Sequence, residues 1–167
     1  PCGTLNKIGL CLTPDSFVDD QVGWHVAWPG QPAHTDPRDI ASFDVNVDGK
    51  QQAIIFFGGS FGIHLEKQGP AAMRDYAEKS LATVFGNSMI DRITDVITTA
   101  WHSEPLTLGA YSYAEPGHST ARELLCDALV DTVFFAGEAA SVSHYGTCHG
   151  AYISGQQTAQ RLVKSFA

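Results

Sequence analysis

One segment constrains the fold of this chain more than any other: a short apolar run that ends in glycine and precedes a helical pattern. Residues 132–136 read TVFFA, and Gly137 and Glu138 follow directly. From Thr147 to the last residue, apolar positions recur at helical spacing. These stretches predict a buried strand, a loop and a terminal helix, which together form the closing unit of an α/β domain.

The same unit predicts a ligand-binding crevice. A strand that ends in glycine lets a ligand approach the backbone closely, and Glu138 can accept hydrogen bonds from ligand hydroxyls. Thr147 fits the N-cap position, so the unpaired N–H groups and the positive end of the helix dipole face this crevice. The helix has a bare side and an apolar side. The bare side contains Gly150, Ala151, Ser154 and Gly155, and the apolar face contains Tyr152, Ile153, Ala159, Leu162 and Val163.

The preceding residues predict a sheet with one helix. Alternating apolar residues predict strands over 5–12, 22–28, 43–47, 52–57 and 93–101, with a hairpin turn at Asp48-Gly49. Proline-rich residues 30–38 predict a loop, and the strand before Gly58 is expected to resume over 62–65. A helix is expected from Pro70 to Gly86, and a short one over 121–130.

The chain is therefore expected to combine two fold classes. The first is an α+β domain on a mixed or antiparallel sheet, over residues 1–107. The second is the closing part of an α/β domain, over residues 108–167.

The composition excludes several classes of function. A formal net charge of −8 argues against a nucleic-acid surface, which needs clustered lysine and arginine. No apolar run approaches the length of a membrane span. On these two grounds, neither a nucleic acid nor a membrane is expected as a partner. The four cysteines show no CxxC spacing, which indicates reduced thiols in a cytoplasmic protein. His144 and His149 lack the spacing and the carboxylate company of a metal site, and no metal is expected.

Three strings occur in order along the chain, and together they resemble the flavin-containing amine oxidase family. They are Gly3–Leu10 (GTLNKIGL), the stretch from Trp101 to Gly117 with WHSEP and GAYSY, and FFAGE with TCHGAYISG near the C-terminus. The family includes monoamine oxidases, polyamine oxidases, L-amino-acid oxidases and the lysine-specific histone demethylase. The resemblance implies a mixed-sheet substrate domain, followed by the closing strand and helix of a glutathione-reductase-like FAD-binding domain.

The resemblance gives roles to residues that otherwise have simpler interpretations. Taken alone, Lys7 is an edge-strand charge that deters aggregation, and Trp101 and Tyr111 are core aromatics. In the family, the lysine is held over the flavin N5, usually through a water, where a buried ammonium assists reoxidation by oxygen. Tyr111 would face the flavin as an aromatic wall for the amine, and Trp101 would lie beside the cofactor. The second wall would come from Tyr145 or Gly146.

The resemblance also implies the cofactor contacts. Ala110 stands where monoamine oxidases carry a cysteine bonded to the flavin, so non-covalent FAD is expected. Glu138 would bind the ribityl or pyrophosphate end of FAD, with Gly137 allowing close approach. The helix start would face the flavin C2 carbonyl and stabilise negative charge in the reduced ring, through Thr147, Cys148, His149 and Gly150. Within that group, Cys148 is expected to serve packing, and His149 to be a structural hydrogen-bonder rather than a catalytic group.

The sequence contains no GxGxxG, the dinucleotide fingerprint of this family. The N-terminal Rossmann unit is therefore expected to be absent, and this chain alone is expected to bind FAD poorly. Its partner would be the N-terminal FAD-binding portion of the same precursor or a partner subunit. The expected reaction is hydride transfer from an amine to FAD, with oxygen reduced to hydrogen peroxide. The alternatives are oxidation of an L-amino acid and a non-catalytic assembly module with the same fold.

Overall fold

The computed structural model describes residues 1–18, 21–27, 41–130 and 132–166. The chain divides into two compact units. We call Thr4–Leu108 the sheet unit, and Pro1–Gly3 together with Gly109–Ala167 the helix unit. No helix of the described residues is long and apolar enough to cross a membrane. Trp28 and the loop expected over 30–38 lie outside the described residues.

The described residues form short strands and four helices in a mixed α/β arrangement. The strands are β1 (Cys2–Gly3), β2 (Leu5–Leu12), β3 (Gly23–Ala27), β4 (Ala41–Val45), β5 (Gln52–Gly58), β6 (Ile93–Thr98) and β7 (Tyr111–Ser112). The helices are α1 (Gly59–Gln68), α2 (Pro70–Phe85), α3 (Ala121–Leu124) and α4 (Cys148–Ser165). Three short 3-10 turns accompany them, over Val47–Gly49, Asn87–Arg92 and Glu138–Ala140.

The sheet unit is a five-stranded antiparallel sheet in the order β3-β4-β5-β2-β6. Because side chains alternate across a strand, one face of the sheet supplies the core and the other does not. The core combines sheet residues with one face of α2, and its fully buried members are Ile8, Leu10, Phe43, Val45, Ala53, Ile55, Ala77 and Leu81. Lys7 occupies the alternate position on β2 and lies on the opposite face.

Local sequence patterns account for most of the sheet unit, and those predictions are confirmed. β4 and β5 pair as the expected hairpin, and the turn between them holds Asn46 and Asp48 at φ of 53° and 58°. Asn and Asp adopt this left-handed conformation more readily than most residues. The helix expected from Pro70 to Gly86 is observed as α2, with proline in its first turn.

The strand expected over 62–65 is wrong, because these residues belong to α1. Gly58 ends β5 in an extended conformation, and the helix begins at the next residue. The buried residues of α1 are Gly62, Leu65 and Glu66, which recur at helical spacing. A four-residue window with two apolar side chains fits a strand and a helix equally well, so periodicity alone misassigned it.

The helix unit begins with a two-residue ladder, in which Cys2 lies opposite Ser112 and Gly3 opposite Tyr111. α3 is shorter than the helix expected over 121–130, since it ends at Leu124 and continues only as tighter i→i−3 turns. The terminal helix is confirmed as α4, with Thr147 as its N-cap.

The buried strand expected over 132–136 is wrong. Within the described residues the segment has a single bridge, Leu129 to Val133, and no neighbouring strand. Val133 is 47% exposed and Phe135 is 40% exposed. The backbone N–H and C=O groups of a strand need hydrogen-bond partners, and here side chains of α4 provide them in place of a neighbouring strand. The Thr158 hydroxyl donates to the Phe135 carbonyl at 2.9 Å, and the Gly137 N–H donates to Ser154 Oγ at 3.3 Å.

The bare side of α4 is the side that packs. Its buried residues are Gly150, Ser154 and Thr158, which lie four residues apart on the bare side. The expected apolar face is exposed within the helix unit, with Tyr152 and Val163 among its most exposed members. Small residues let α4 approach the extended segment closely enough for its hydroxyls to reach that backbone.

The core of the sheet unit makes a direct prediction about stability. Replacing Ile55, which is fully buried, with alanine leaves a cavity in the core and is expected to lower the unfolding free energy by about 3 kcal/mol. Ile97 lies on β6 and is 61% exposed, so Ile97→Ala is the matched control, with an effect below about 0.5 kcal/mol. Urea titration followed by circular dichroism measures both. Equal losses in the two variants would contradict the assigned core.

Candidate active site

Lys7 lies in the middle of the sheet unit and not at its edge. β2 pairs with β5 on one side and with β6 on the other, so the interpretation of Lys7 as an edge-strand charge is wrong. Its side chain is exposed, and Nζ lies 5.3 Å from the centroid of the Phe56 ring. A lysine on the open face of a central strand offers its ammonium to whatever covers that face.

The same stretch of β2 also positions Trp101. The strand expected to reach Trp101 ends at Thr98. The residues that follow it are bound to β2 through side chains as well as backbone groups. The Lys7 N–H donates to Thr99 Oγ1 at 2.8 Å, and the Thr99 N–H donates to the Lys7 carbonyl at 3.0 Å. The Trp101 N–H donates to Asn6 Oδ1 at 2.9 Å. The structure thus brings Lys7 and Trp101 to adjacent segments of one unit.

A buried amide–carboxylate pair fixes this arrangement, and the sequence analysis missed it. Asn6 is fully buried, and its Nδ2 donates to Glu66 Oε2 at 2.6 Å. Glu66 also accepts from the backbone N–H groups of His102 and Ser103, at 3.3 and 2.7 Å, and from the Ser103 hydroxyl. Glu66 therefore anchors the loop after β6 to the start of β2.

The pKa of Glu66 reflects these contacts. Burial alone would raise the pKa of this carboxyl, but the donors from Ser103, Asn6 and His102 outweigh it, and the pKa lies below its usual value. The only sequence signal for this buried pair was Asn6, an amide next to Lys7 in an apolar strand. Because residues 62–65 were expected to form a strand, Glu66 was not placed on a helix that faces Asn6.

In the helix unit, Glu138 collects a comparable set of donors. Oε1 accepts from the Ser112 N–H at 2.8 Å, and Oε2 accepts from the Ser112 hydroxyl and the Gly146 N–H, both at 2.7 Å. Burial would raise the pKa of Glu138, but these hydrogen bonds and the charge of Arg122 lower it below the usual value. Glu138 is therefore held as a carboxylate of fixed orientation.

This carboxylate connects the two tyrosines that the sequence singled out. Tyr111 directly precedes Ser112, and Tyr145 directly precedes Gly146, so each tyrosine adjoins a donor to Glu138. Both tyrosine side chains are about half-exposed within the helix unit. One carboxylate therefore fixes the backbone beside both tyrosines.

The start of α4 presents free N–H groups. The Gly150 N–H donates to Thr147 Oγ1 at 3.1 Å, and the Thr147 hydroxyl donates to the His144 carbonyl at 2.6 Å. Cys148 and His149 are exposed, and within the described residues their backbone N–H groups have no protein acceptor. Position 150 requires glycine, because a Cβ there would lie 1.9 Å from the His144 carbonyl oxygen. The tight turn before α4 therefore leaves the first two N–H groups available to an anion.

Gly137 provides an open stretch of backbone beside this helix start. Its φ of 134° is accessible mainly to glycine, and a Cβ built there would meet nothing within 4 Å. Ala110 lies one residue before β7 and is exposed, with its N–H donating to the Gly3 carbonyl at 2.8 Å. Both positions therefore leave room for a ligand.

Two further expectations concern His149 and the cysteines. The His149 ring packs edge-on against His144, with centroids 5.0 Å apart, and its role stays a prediction. No group of three potential metal ligands converges in the described part of the chain. All four cysteines lie in that part, and none is bonded to another.

Comparison with known proteins adds to this geometry. The family model described as flavin containing amine oxidoreductase matches residues 1–163. A protein of Oryza sativa subsp. japonica named lysine-specific histone demethylase 1 homolog 1 is 32% identical over 166 residues, covering 98% of this chain and 19% of the relative. Human peroxisomal N(1)-acetyl-spermine/spermidine oxidase is 36% identical over 95 residues, covering 52% of this chain and 19% of the relative.

A plant protein named probable polyamine oxidase 4, from Arabidopsis thaliana, is 29% identical over 106 residues, or 64% of this chain and 21% of the relative. The chain therefore spans about a fifth of the length of the curated relatives it matches.

The Glu66 contacts predict a specific acid sensitivity. A carboxyl whose pKa is lowered by folding stabilises the folded state at any pH above the pKa that it has in the unfolded chain, near 4.5. This contribution to stability is lost as the pH falls through the lower pKa of the folded state. Glu66→Gln places an amide donor against other donors, so we expect its unfolding free energy at neutral pH to fall by about 1–3 kcal/mol. Its dependence on pH between about 5 and 3 should also be flatter than in the parent chain.

Urea titrations across this pH range measure both effects, with Glu115→Gln, at an exposed position, as the control. An acid dependence unchanged in Glu66→Gln would contradict the assigned contacts.

Proposed function

Because the chain belongs to the flavin-containing amine oxidoreductase family, whose model matches residues 1–163, we propose that it forms part of an FAD-dependent amine oxidase. The reaction is oxidation of an amine C–N bond, with oxygen reduced to hydrogen peroxide. The observation that carries this proposal is the convergence on Glu138 of two tyrosine-bearing segments, beside an open helix N-terminus.

The helix unit fits a flavin. Gly137 leaves its backbone open, Glu138 is fixed as a carboxylate beside it, and the first N–H groups of α4 are unpaired. Of the roughly four acceptor positions on a carboxylate, three are taken by protein donors, which leaves Glu138 one for a ligand hydroxyl. When bound, FAD supplies a hydride acceptor. The residues that would hold it are Ala110, Gly137, Glu138, Thr147, Cys148, His149 and Gly150, with Trp101 beside the ring.

The chain's own residues would act on the amine and on oxygen. Tyr111 and Tyr145 would enclose the amine between apolar faces, which favours its neutral form and aligns its α-carbon. The Lys7 ammonium would stabilise negative charge that develops on oxygen as it is reduced. Gly146 would orient Tyr145 through its bond to Glu138.

Charge and the names of the relatives support an amine as the substrate class. A net charge of −8 attracts cationic amines over long range, which favours a monoamine or polyamine above an L-amino acid. Matched relatives carry the names polyamine oxidase and lysine-specific histone demethylase. An L-amino acid is the alternative substrate.

The partner of this chain would be the portion that binds the adenosine half of FAD. The sequence has no GxGxxG, so the proposal assigns that half to an N-terminal portion of the same precursor or to a partner subunit. Without it, this chain would bind FAD poorly and be inactive. The same feature favours the second candidate function, a non-catalytic assembly module.

The proposal includes no nucleic-acid or membrane partner and places the protein in the cytoplasm, where its unpaired thiols stay reduced.

The principal test measures hydrogen peroxide released from a panel of monoamines, polyamines and L-amino acids, using this chain together with an N-terminal FAD-binding portion. Lys7→Met is expected to slow reoxidation of the reduced flavin by oxygen by at least roughly tenfold, because it removes the positive charge. Lys79→Met, on the exposed side of α2, is the matched control. No peroxide from any amine would favour the assembly module, and an unchanged reoxidation rate in Lys7→Met would contradict the role of Lys7.

The alanine at position 110 makes a separate prediction about the cofactor. Because no thiol stands there, FAD in the assembled protein is expected to be released intact on acid or urea denaturation. Ultrafiltration of the denatured sample should pass all of the flavin absorbance, and mass spectrometry should find this chain unmodified. Flavin retained on the chain would contradict non-covalent binding.

A further inference from the structure

Arg122 is a buried cation for which the proposed function has no role so far. It belongs to α3 and is 5% exposed. The described part of the chain gives it no ion pair with a carboxylate. Burying a guanidinium is costly unless its charge and its N–H groups are compensated locally. The compensation therefore has to come from the groups it touches.

The groups around Arg122 include two from the candidate site, Ser112 and Tyr145. Nη1 donates to Ser112 Oγ at 2.6 Å and to the Ala139 carbonyl at 3.1 Å. The guanidinium carbon lies 4.1 Å from the centroid of the Tyr145 ring. Nη2 is buried and has no hydrogen-bond partner within the described residues. The aromatic face of Tyr145 therefore compensates part of the charge of Arg122, and the nearby Glu138 carboxylate, whose pKa that charge lowers, compensates another part.

The contact with Ser112 sets the direction of a chain of hydrogen bonds. A guanidinium can only donate, so the Ser112 oxygen accepts from Arg122 and gives its own hydrogen to Glu138. Glu138 in turn accepts from the Gly146 N–H, directly after Tyr145. Arg122 thus acts on Tyr145 twice, through the face of the ring and through the peptide that follows it.

We propose that Arg122 is a positioning residue for the amine site, which orients the Tyr145 ring by stacking and fixes the Ser112–Glu138–Gly146 connection. The proposal rests on the proposed function, because Tyr145 is a wall for the amine only there. It requires a planar cation with directed N–H groups. Lysine retains the charge but cannot stack a flat face on a ring while donating sideways to two oxygens.

A neighbouring cavity makes this requirement testable. A cavity of about 500 Å³ adjoins Arg122, and its lining includes Ser112, Tyr113, His118 and Leu125. Truncation of Arg122 to alanine would enlarge this cavity and leave the place of the guanidinium open to small molecules. Added guanidinium ions could then occupy that place and stack on Tyr145, whereas urea has the same planar shape without the charge.

The first experiment follows Tyr145 directly by NMR in the 167-residue chain, with ring-labelled tyrosine. The chain has five tyrosines, and Tyr145→Phe assigns the signal. Arg122→Ala is expected to shift the Tyr145 ring signal and the Gly146 amide signal. Arg122→Lys should shift the ring signal nearly as far. Arg161→Ala, which removes a surface arginine on α4, is the control and should leave both signals in place.

Chemical rescue then separates positioning from general packing. Low-millimolar guanidinium is expected to return the Arg122→Ala signals toward the parent values, and urea at the same concentration is not. Unshifted signals in Arg122→Ala, or equal rescue by guanidinium and urea, would overturn the proposal. Should Arg122→Ala fail to fold, Arg122→Lys decides: an unshifted Tyr145 signal in that variant would overturn it.

A second readout uses the chain assembled with FAD and its N-terminal portion. Arg122→Lys is expected to slow flavin reduction by the amine about ten- to a hundredfold, while reduction by dithionite is unchanged, since small displacements of a positioning group carry effects of this size. Equal amine rates in parent and variant would overturn the proposal. If the parent protein itself is reduced by no amine, the proposed function fails, while the Tyr145 signals still decide whether Arg122 orients the ring.

Discussion

The arrangement of this molecule depends on carboxylates that accept backbone N–H groups from distant segments. Glu66 does this in the sheet unit, where it gathers the residues after β6, and Glu138 does it in the helix unit, where it holds Ser112 and Gly146. In both cases the donors outweigh the cost of burial, and the carboxyl stays ionised. Loops that regular secondary structure cannot hold are therefore fixed by a single acidic side chain.

Such anchors determine where the functional side chains can stand. Trp101, Tyr111 and Tyr145 all lie outside long strands and helices, yet each is within a few residues of a donor to Glu66 or Glu138. Lys7 differs, because it lies on an interior strand that pairs with a neighbouring strand on each side. Lys7 thus has a rigid sheet position, whereas the three aromatic residues hold loop positions that depend on side-chain contacts, which makes those loops the more sensitive to substitution.

Sequence patterns predicted the elements that local physics determines. The strands around Lys7, the hairpin at Asp48, the helix from Pro70 and the cap at Thr147 all depend on side-chain alternation, turn residues or capping, and all are confirmed. The literal strings, and not periodicity, identified the family. Residues 62–65 and 132–136 were misassigned because short apolar runs carry no information about their partners. The contacts of Asn6 with Glu66 and of Arg122 with Tyr145 join residues far apart in sequence, which no local pattern can reveal.

The hydroxyl contacts of α4 have a consequence for motion. The segment around Gly137 is bonded to Ser154 and Thr158 instead of to a neighbouring strand, so its backbone is coupled to the helix. A displacement of α4 would therefore have to carry Gly137 with it or break these hydrogen bonds. Hydrogen exchange at Gly137 would then report the opening of the helix contact and not the fraying of a sheet. The two hydrogen bonds thus tie the backbone on both sides of Ala136 to one helix.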